Sequence, residues 1–143
     1  MTNTKAAKVD LQMARRIIEE AHRDLEEGQY YRAVRKCQEV VELALKALLM
    51  FKGVAGYPKT HDIGKFVADT LKDDLDVKLL TEISHISDEL TKERARSFYA
   101  TAKWFPTEAY TSDDANTALQ RAQFVFDEVA KSIGTFCNGG QCL

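Results

Sequence analysis

Proline is scarce in this sequence. Only Pro58 and Pro106 occur among 143 residues, and both fall between periodic segments. With Ala, Leu, Lys and Glu abundant, that scarcity favours helix throughout. Positive charge is not in excess: the formal net charge is −2, which excludes an overall basic field for nucleic acid. Any RNA contact must come from a local basic patch. Cysteine is limited to Cys37, Cys137 and Cys142. The odd number, with Cys37 inside a strong helical pattern, argues against a disulfide framework and for a reducing cytoplasm. Cys137 and Cys142 lie in the tail CNGGQC with no second pair to complete four ligands, so no metal site is expected there. Long hydrophobic runs are missing. The longest, Leu43 to Phe51, is broken by Lys46, well short of the roughly 20 residues that span a bilayer. The N-terminal MTNTKAAKVDLQ has no apolar core of the signal-peptide kind. A water-soluble, cytoplasmic protein without membrane partners is expected. There is no Walker-type glycine loop for ATPase chemistry, and no Gly-Ser turn followed by paired Asp residues, as a nucleotidyltransferase would need.

What is present is helical period. The length favours one domain, and 45% hydrophobic residues against 29% charged are ordinary for a folded chain. Leu11, Ala14, Ile18, Ala21 and Leu25 share one face of a first helix from about Val9 to Glu27, stopped by Gly28. The short link that follows favours an antiparallel hairpin. A second helix, from about Tyr30 to Lys52, carries two apolar stripes. One is Val34, Cys37, Val41, Ala44 and Leu48; the other is Val40, Ala47 and Phe51, led by Ala33. So wide a face predicts the central helix of a bundle. Thr60 is read as the N-cap of a third, shorter helix carrying Ile63, Phe66, Val67 and Leu71. After a break at Lys72-Asp-Asp, a fourth runs from about Leu75 to Arg96 with Leu79, Leu80, Ile83, Ile86 and Leu90. The segment from Ser97 to Thr111 is irregular and aromatic. A last helix opens on a box of Thr111 and Asp114 and ends at Gly134. The expected fold is all-α, a mostly antiparallel bundle of four long helices plus a shorter fifth over residues 1–134. A flexible tail over residues 135–143 follows.

Several stretches carry a resemblance in their order. They are Ala21-His-Arg-Asp-Leu, Gly28-Gln-Tyr-Tyr-Arg-Ala, Cys37-Gln-Glu-Val-Val-Glu-Leu-Ala-Leu-Lys-Ala-Leu-Leu and Pro58-Lys-Thr-His-Asp-Ile. Arg94-Ala-Arg-Ser-Phe-Tyr and Tyr110-Thr-Ser-Asp-Asp-Ala complete the set. From about Leu11 to Ile133 the chain resembles the HEPN family, named for higher eukaryotes and prokaryotes nucleotide binding. The resemblance implies an antiparallel bundle that forms homodimers. It also implies a role beside a minimal nucleotidyltransferase in a two-part, toxin–antitoxin-like system. Some branches are metal-independent ribonucleases, with an Arg, four to six intervening residues and then a His in the late part of the bundle.

That pair is not in its usual place here, because no histidine follows His85. Arg16 and His22 match the spacing as a string, but they lie in the first helix. Six helical positions turn about 600°, so the two point to different sides. His85 sits mid-helix and reads as a surface or packing residue. His61, with neighbouring Lys59, reads in two ways. It is either a phosphate donor at a helix N-terminus or a local bond to a loop carbonyl that holds the Pro58 turn. Arg94, Arg96 and Lys103 surround Tyr99 and Trp104, a mixture suited to a phosphate and a stacked base. The alternative is aromatics closing the bundle end, with arginines on exposed helix carbonyls. Arg15, Arg16, Arg23, Arg32 and Arg35 read as solvated faces.

The expectation is a nucleotide- or partner-binding module without catalytic residues of its own. It needs no cofactor, its candidate ligands are ATP, GTP or RNA, and its candidate contacts are Lys59, His61, Arg94, Arg96, Tyr99 and Lys103. Two other classes stay open: a ribonuclease with an altered site at Arg94, Arg96 and Tyr99, and a ligand-free scaffolding bundle.

Overall fold

The computed structural model describes residues 2–134; the Cys137 and Cys142 tail lies outside them. Six helices follow in order: α1 (Thr2–Glu26), α2 (Tyr30–Phe51), α3 (Gly64–Thr70), α4 (Val77–Phe98), α5 (Pro106–Ala109) and α6 (Ser112–Ile133). Four are long, as the periodicity predicts, and a second short helix, α5, sits inside the aromatic connection. No strand occurs among the described residues, only an isolated bridge between Thr101 and Trp104.

The wide apolar face of α2 sets the architecture. Val34, Cys37, Val40, Val41, Ala44, Leu45, Ala47, Leu48 and Leu49 are all buried, and α2 packs against every other helix. On one side lie α1 and α6, on the other α3 and α4. α1 does not touch α4, and α4 meets α6 only sparingly. Burial pushes the Cys37 thiol up to about 12, so at neutral pH it is a small core hydrophobe.

The helix ends show where local signals sufficed and where they did not. α1 begins at Thr2 rather than near Val9. Its added turns contain Lys5, Ala6 and Ala7, good helix formers, and buried Ala7 extends the stripe of Leu11 and Ala14. Gly28 and Gly53 both take φ of 74° and close the ends of α1 and α2. At the first, the Gln29 N–H donates to the Asp24 carbonyl (2.7 Å) and the Gly28 N–H to that of Leu25 (3.1 Å), a Schellman closure. α6 opens on the expected box, with the Asp114 N–H on Thr111 Oγ1 (3.2 Å) and the Thr111 N–H on Asp114 Oδ2 (2.9 Å).

Thr60 does not cap α3, which starts at Gly64. Thr60 Oγ1 instead accepts the Asp62 N–H (3.3 Å) within the loop. The orphan Gly64 N–H is satisfied from across the fold by Ser87 Oγ of α4 (3.2 Å), and that hydroxyl donates to Asp62 Oδ1 (2.9 Å). A partner 23 positions away leaves no trace in local sequence. α4 begins at Val77, two residues after Leu75, whose N–H stays bonded to the Leu71 carbonyl (3.1 Å). It runs on past Arg96 to Phe98.

The α3–α4 contact depends on Gly64 having no side chain. A Cβ there would meet Ser87 Cβ at 2.5 Å and the Ser84 backbone at 3.0 Å. Gly64→Ala is expected to destabilise the fold by about 1–3 kcal/mol through overpacking, despite the better helix propensity of Ala. Urea unfolding of the two proteins side by side checks this, and an unchanged midpoint would contradict the close approach.

Candidate functional site

The last turns of α4 present two faces, each opening onto a cleft. The first cleft, of about 310 Å³, is lined by His61, Thr91, Arg94, Ala95, Phe98 and Tyr99. It lies between the α2–α3 connection and α4, with α2 behind it.

Its geometry comes from one buried amide. Gln38 of α2 is 1% exposed. Its Nε2 donates to the His61 carbonyl (3.0 Å) and to Glu42 Oε1 (3.1 Å), and its Oε1 accepts from Arg94 Nη1 (3.2 Å). The loop and α4 are thus tied to α2 through a single side chain. Thr91 Oγ1 adds a longer bond to the His61 carbonyl (3.4 Å). Arg94 Nη1 also lies 3.6 Å from Glu39 Oε1.

His61 Nδ1 meets Glu42 Oε1 at 2.8 Å, while the imidazole stays 55% exposed. Partial burial pushes the Glu42 carboxyl up, but hydrogen bonds from Lys46, His61 and Gln38 outweigh it and hold Glu42 below the usual carboxylate range. An ionised carboxylate accepts only, so Nδ1 carries the proton and Nε2 is the nitrogen offered to a ligand. The bond that holds the ring is therefore to a carboxylate of α2, not to a loop carbonyl. Nor does α3, at seven residues, offer a long helix terminus to an anion.

Arg35 is not on a solvated face. Its guanidinium lies 3.6 Å from the Phe98 ring centroid and 5.5 Å from that of Tyr31, and Nη2 donates to the Ser97 carbonyl (2.7 Å). Burial lowers its pKa from the ordinary value, although a guanidinium stays charged at any physiological pH. Arg94 lies 4.9 Å from the same Phe98 ring. Phe98 is thus already in use, whereas Tyr99, 73% exposed, presents free aromatic surface.

The second cleft, of about 580 Å³, lies where α4 and α6 diverge over Val34. Here Arg96 stacks on Trp104 at 4.1 Å and pairs with Glu93 (3.2 Å). Trp104 Nε1 donates to the Arg96 carbonyl (2.7 Å) and the Tyr110 hydroxyl to the Glu93 carbonyl (3.3 Å). Arg121 pairs with Glu89, which also takes His85 Nε2 at 3.1 Å. The aromatics here close the C-terminal carbonyls of α4.

Of the expected contacts, the fold brings His61, Arg94 and Tyr99 into one cleft. Arg96 lies in the other, and exposed Lys59 and Lys103 line neither. Arg35, Gln38, Glu39 and Glu42 were not foreseen. For Gln38 and Glu42 a signal was available: with Lys46 they step by four, a polar line on one face of a helix whose second half is otherwise mostly apolar.

Comparison with known proteins agrees with this architecture. The "Putative toxin MJ1304" of Methanocaldococcus jannaschii is 28% identical over 134 residues, covering 89% of this chain and 88% of that protein. The crystal structure of TT1696 from Thermus thermophilus matches with a TM-score of 0.74 and 27% identity, over 87% of this chain and 96% of that one. That of ST0689, an archaeal HEPN homologue, matches in fold with a TM-score of 0.69 at 24% identity, over 89% and 97%. The model of the HEPN domain family matches residues 7–133, nearly the whole described fold, and the chain belongs to that family.

Proposed function

We propose that this chain is a toxin-like HEPN module that binds a nucleotide in the first cleft and acts with a minimal nucleotidyltransferase in a two-part cytoplasmic system. The observation that carries the reading is the meeting of His61, Arg94 and Tyr99 around one cavity, preset by buried Gln38. A guanidinium offers charge-assisted hydrogen bonds to phosphate, His61 Nε2 an acceptor for a ribose hydroxyl, and Tyr99 a stacking face. Lys59, two residues before His61, and Lys103, four after Tyr99, would meet only a ligand that runs beyond the cleft. The archaeal relative that carries the toxin name supports the toxin-like part. The partner enzyme and a homodimeric state follow from the family resemblance.

Nucleotide binding raises thermal stability by mass action, about 2.7 kcal/mol at a hundredfold excess over Kd. A melting series with adenine and guanine nucleotides should show this shift in the native chain. Arg94→Gln is expected to weaken binding roughly 10- to 100-fold, the worth of a charge-assisted bond. A flat melting series for every nucleotide would remove the reading.

The partner half is tested separately. A tagged chain purified from its native cytoplasm should bring down a nucleotidyltransferase in near-equal amount. Recovery of the chain alone would leave a free-standing nucleotide binder.

A second reading has its own observation. The Arg and His that a metal-free ribonuclease needs, not both in α4, are both present in the cleft, His61 coming from the loop. With Glu42 holding Nδ1–H, Nε2 would take the proton of a 2′-hydroxyl as it attacks phosphorus, and the P–O5′ bond would break with the leaving 5′-oxygen taking a proton from water. Arg94 would offset the charge of the phosphorane. Purified chain without divalent metal should then cleave RNA to 2′,3′-cyclic phosphate ends, with His61→Ala reducing the rate about 100-fold or more. RNA left intact would dismiss this reading without touching nucleotide binding.

A further inference from the structure

We infer that the first cleft is selective for one phosphate beside one base, with Glu39 as the residue that turns a triphosphate away. This rests on the nucleotide reading of the cleft and goes beyond it in naming the class of ligand.

Charge is the first argument. Arg35, Lys46 and Arg94 are the fixed cations of the network, and Glu39 and Glu42 are its carboxylates. One positive charge is left in excess, and a proton on His61 would make two. A phosphomonoester carries about −1.5 to −2 at neutral pH, so it is matched. A triphosphate is not. Lys46 is held by Glu42 at 2.7 Å and is unavailable to a longer anion. Arg94 Nη1 is already given to Gln38, so a phosphate would meet the remaining guanidinium N–H groups, and Glu39 Oε1, 3.6 Å from Nη1, adds a negative charge whose repulsion grows with the charge of the ligand. Like charges at such range in a half-buried site are costly.

Aromatic surface is the second. Phe98, 39% exposed, already carries Arg35 and Arg94 against its ring, so it has less face to lend than Tyr99, 73% exposed. Tyr99 is the free ring, and one ring takes one base. Size is the third. A cavity of about 310 Å³ is at the lower end of ligand sites, about 300–1,000 Å³. Charge, stacking surface and volume each fit a single nucleotide unit, either a free nucleoside monophosphate or one link of a single-stranded chain.

Isothermal titration in metal-free buffer tests this, using adenosine, AMP, ATP and the trinucleotide ApApA against the native chain and Glu39→Gln. The expected result is AMP binding roughly tenfold or more tighter than both ATP and adenosine. In Glu39→Gln, which keeps the bond from Gln38 to Arg94, the gap to ATP should narrow to about threefold through gained ATP affinity. ApApA tighter than AMP would assign the unit to a nucleic-acid chain, and AMP tighter than ApApA to a free nucleotide; both support the inference. ATP equal to or tighter than AMP in the native chain overturns the selectivity while nucleotide binding stands. An unchanged gap in Glu39→Gln overturns the role of Glu39. No heat from any ligand, with the helical circular dichroism intact, overturns the nucleotide reading and the inference with it.

Discussion

The arrangement of this molecule around its cleft depends on the satisfaction of one buried amide. Gln38 sits in the middle of a helix whose other inward positions are apolar, with 1% of its surface exposed. An amide that far from water is costly unless its donors and acceptor are all used. Its two N–H groups reach Glu42 and the His61 carbonyl, and its oxygen is taken by Arg94. These partners come from α2 itself, from the connection after it and from α4. The α2–α3 connection has few packing anchors of its own between Gly53 and Ile63. Its His61 end is located because leaving Gln38 unpaired would be worse.

The same economy governs the end of α4. A helix that stops leaves its final carbonyls without intrahelical donors. Here two of them are met by side chains, Arg35 on Ser97 and Trp104 on Arg96, and the Tyr110 hydroxyl adds a bond to the Glu93 carbonyl one turn earlier. Trp104 and Tyr110 come from the aromatic connection, which has almost no regular structure beyond the four residues of α5. Their donors give that connection its path. Arg35 does more than donate. By lying over Phe98 it fixes the ring that walls the first cleft, and leaves Tyr99 as the more open aromatic group there. The two clefts on α4 thus differ in kind. In the second, Arg96 and Arg121 each have a carboxylate and Trp104 has Arg96, so its features are explained by closing the bundle. In the first, the Nε2 side of His61 and the face of Tyr99 are not consumed by the fold.

Much of the architecture was legible because helices announce themselves over short distances. The stripe of α1, the two stripes of α2, the glycines after both and the box at Thr111 are all contained within a few residues of the positions they govern. The start of α3 was not legible. Thr60 has the right chemistry and the right place, yet the N–H that matters belongs to Gly64 and finds Ser87 across the fold. The candidate site divides the same way. His61, Arg94 and Tyr99 were visible as residue types beside turns and helix ends. Arg96, only two positions from Arg94, reads as its companion in a string, yet two steps of a helix turn about 200° and place it on the other face. Lys103 and Lys59 were near in number and not at the cleft. Arg35 looked like one more charge on an exposed face, because nothing in a helix pattern says that a phenylalanine 63 positions later will cover it.

The division of Arg94 and His61 between two elements has a mechanical consequence. When an Arg and a His share one helix, their separation is set by the pitch and changes only if the helix distorts. Here one residue is on a helix and the other on a connection, so helical geometry imposes no distance between them. What imposes it is Gln38, bonded to both at 3.2 and 3.0 Å. Such a link is stiff only while it is dry, because water competing for the amide would weaken its hold on both partners at once, leaving the bonds of Thr91 and Glu42 to His61 and of Glu39 to Arg94. The apolar residues around Gln38, Val34 and Val41 on its own helix among them, therefore act on the cleft without touching it. A polar centre placed in an apolar helix costs stability relative to a hydrocarbon side chain of the same size. Its compensation is that core packing and the spacing of a surface cation and imidazole become one property, so the cleft keeps its shape for as long as the bundle stays folded.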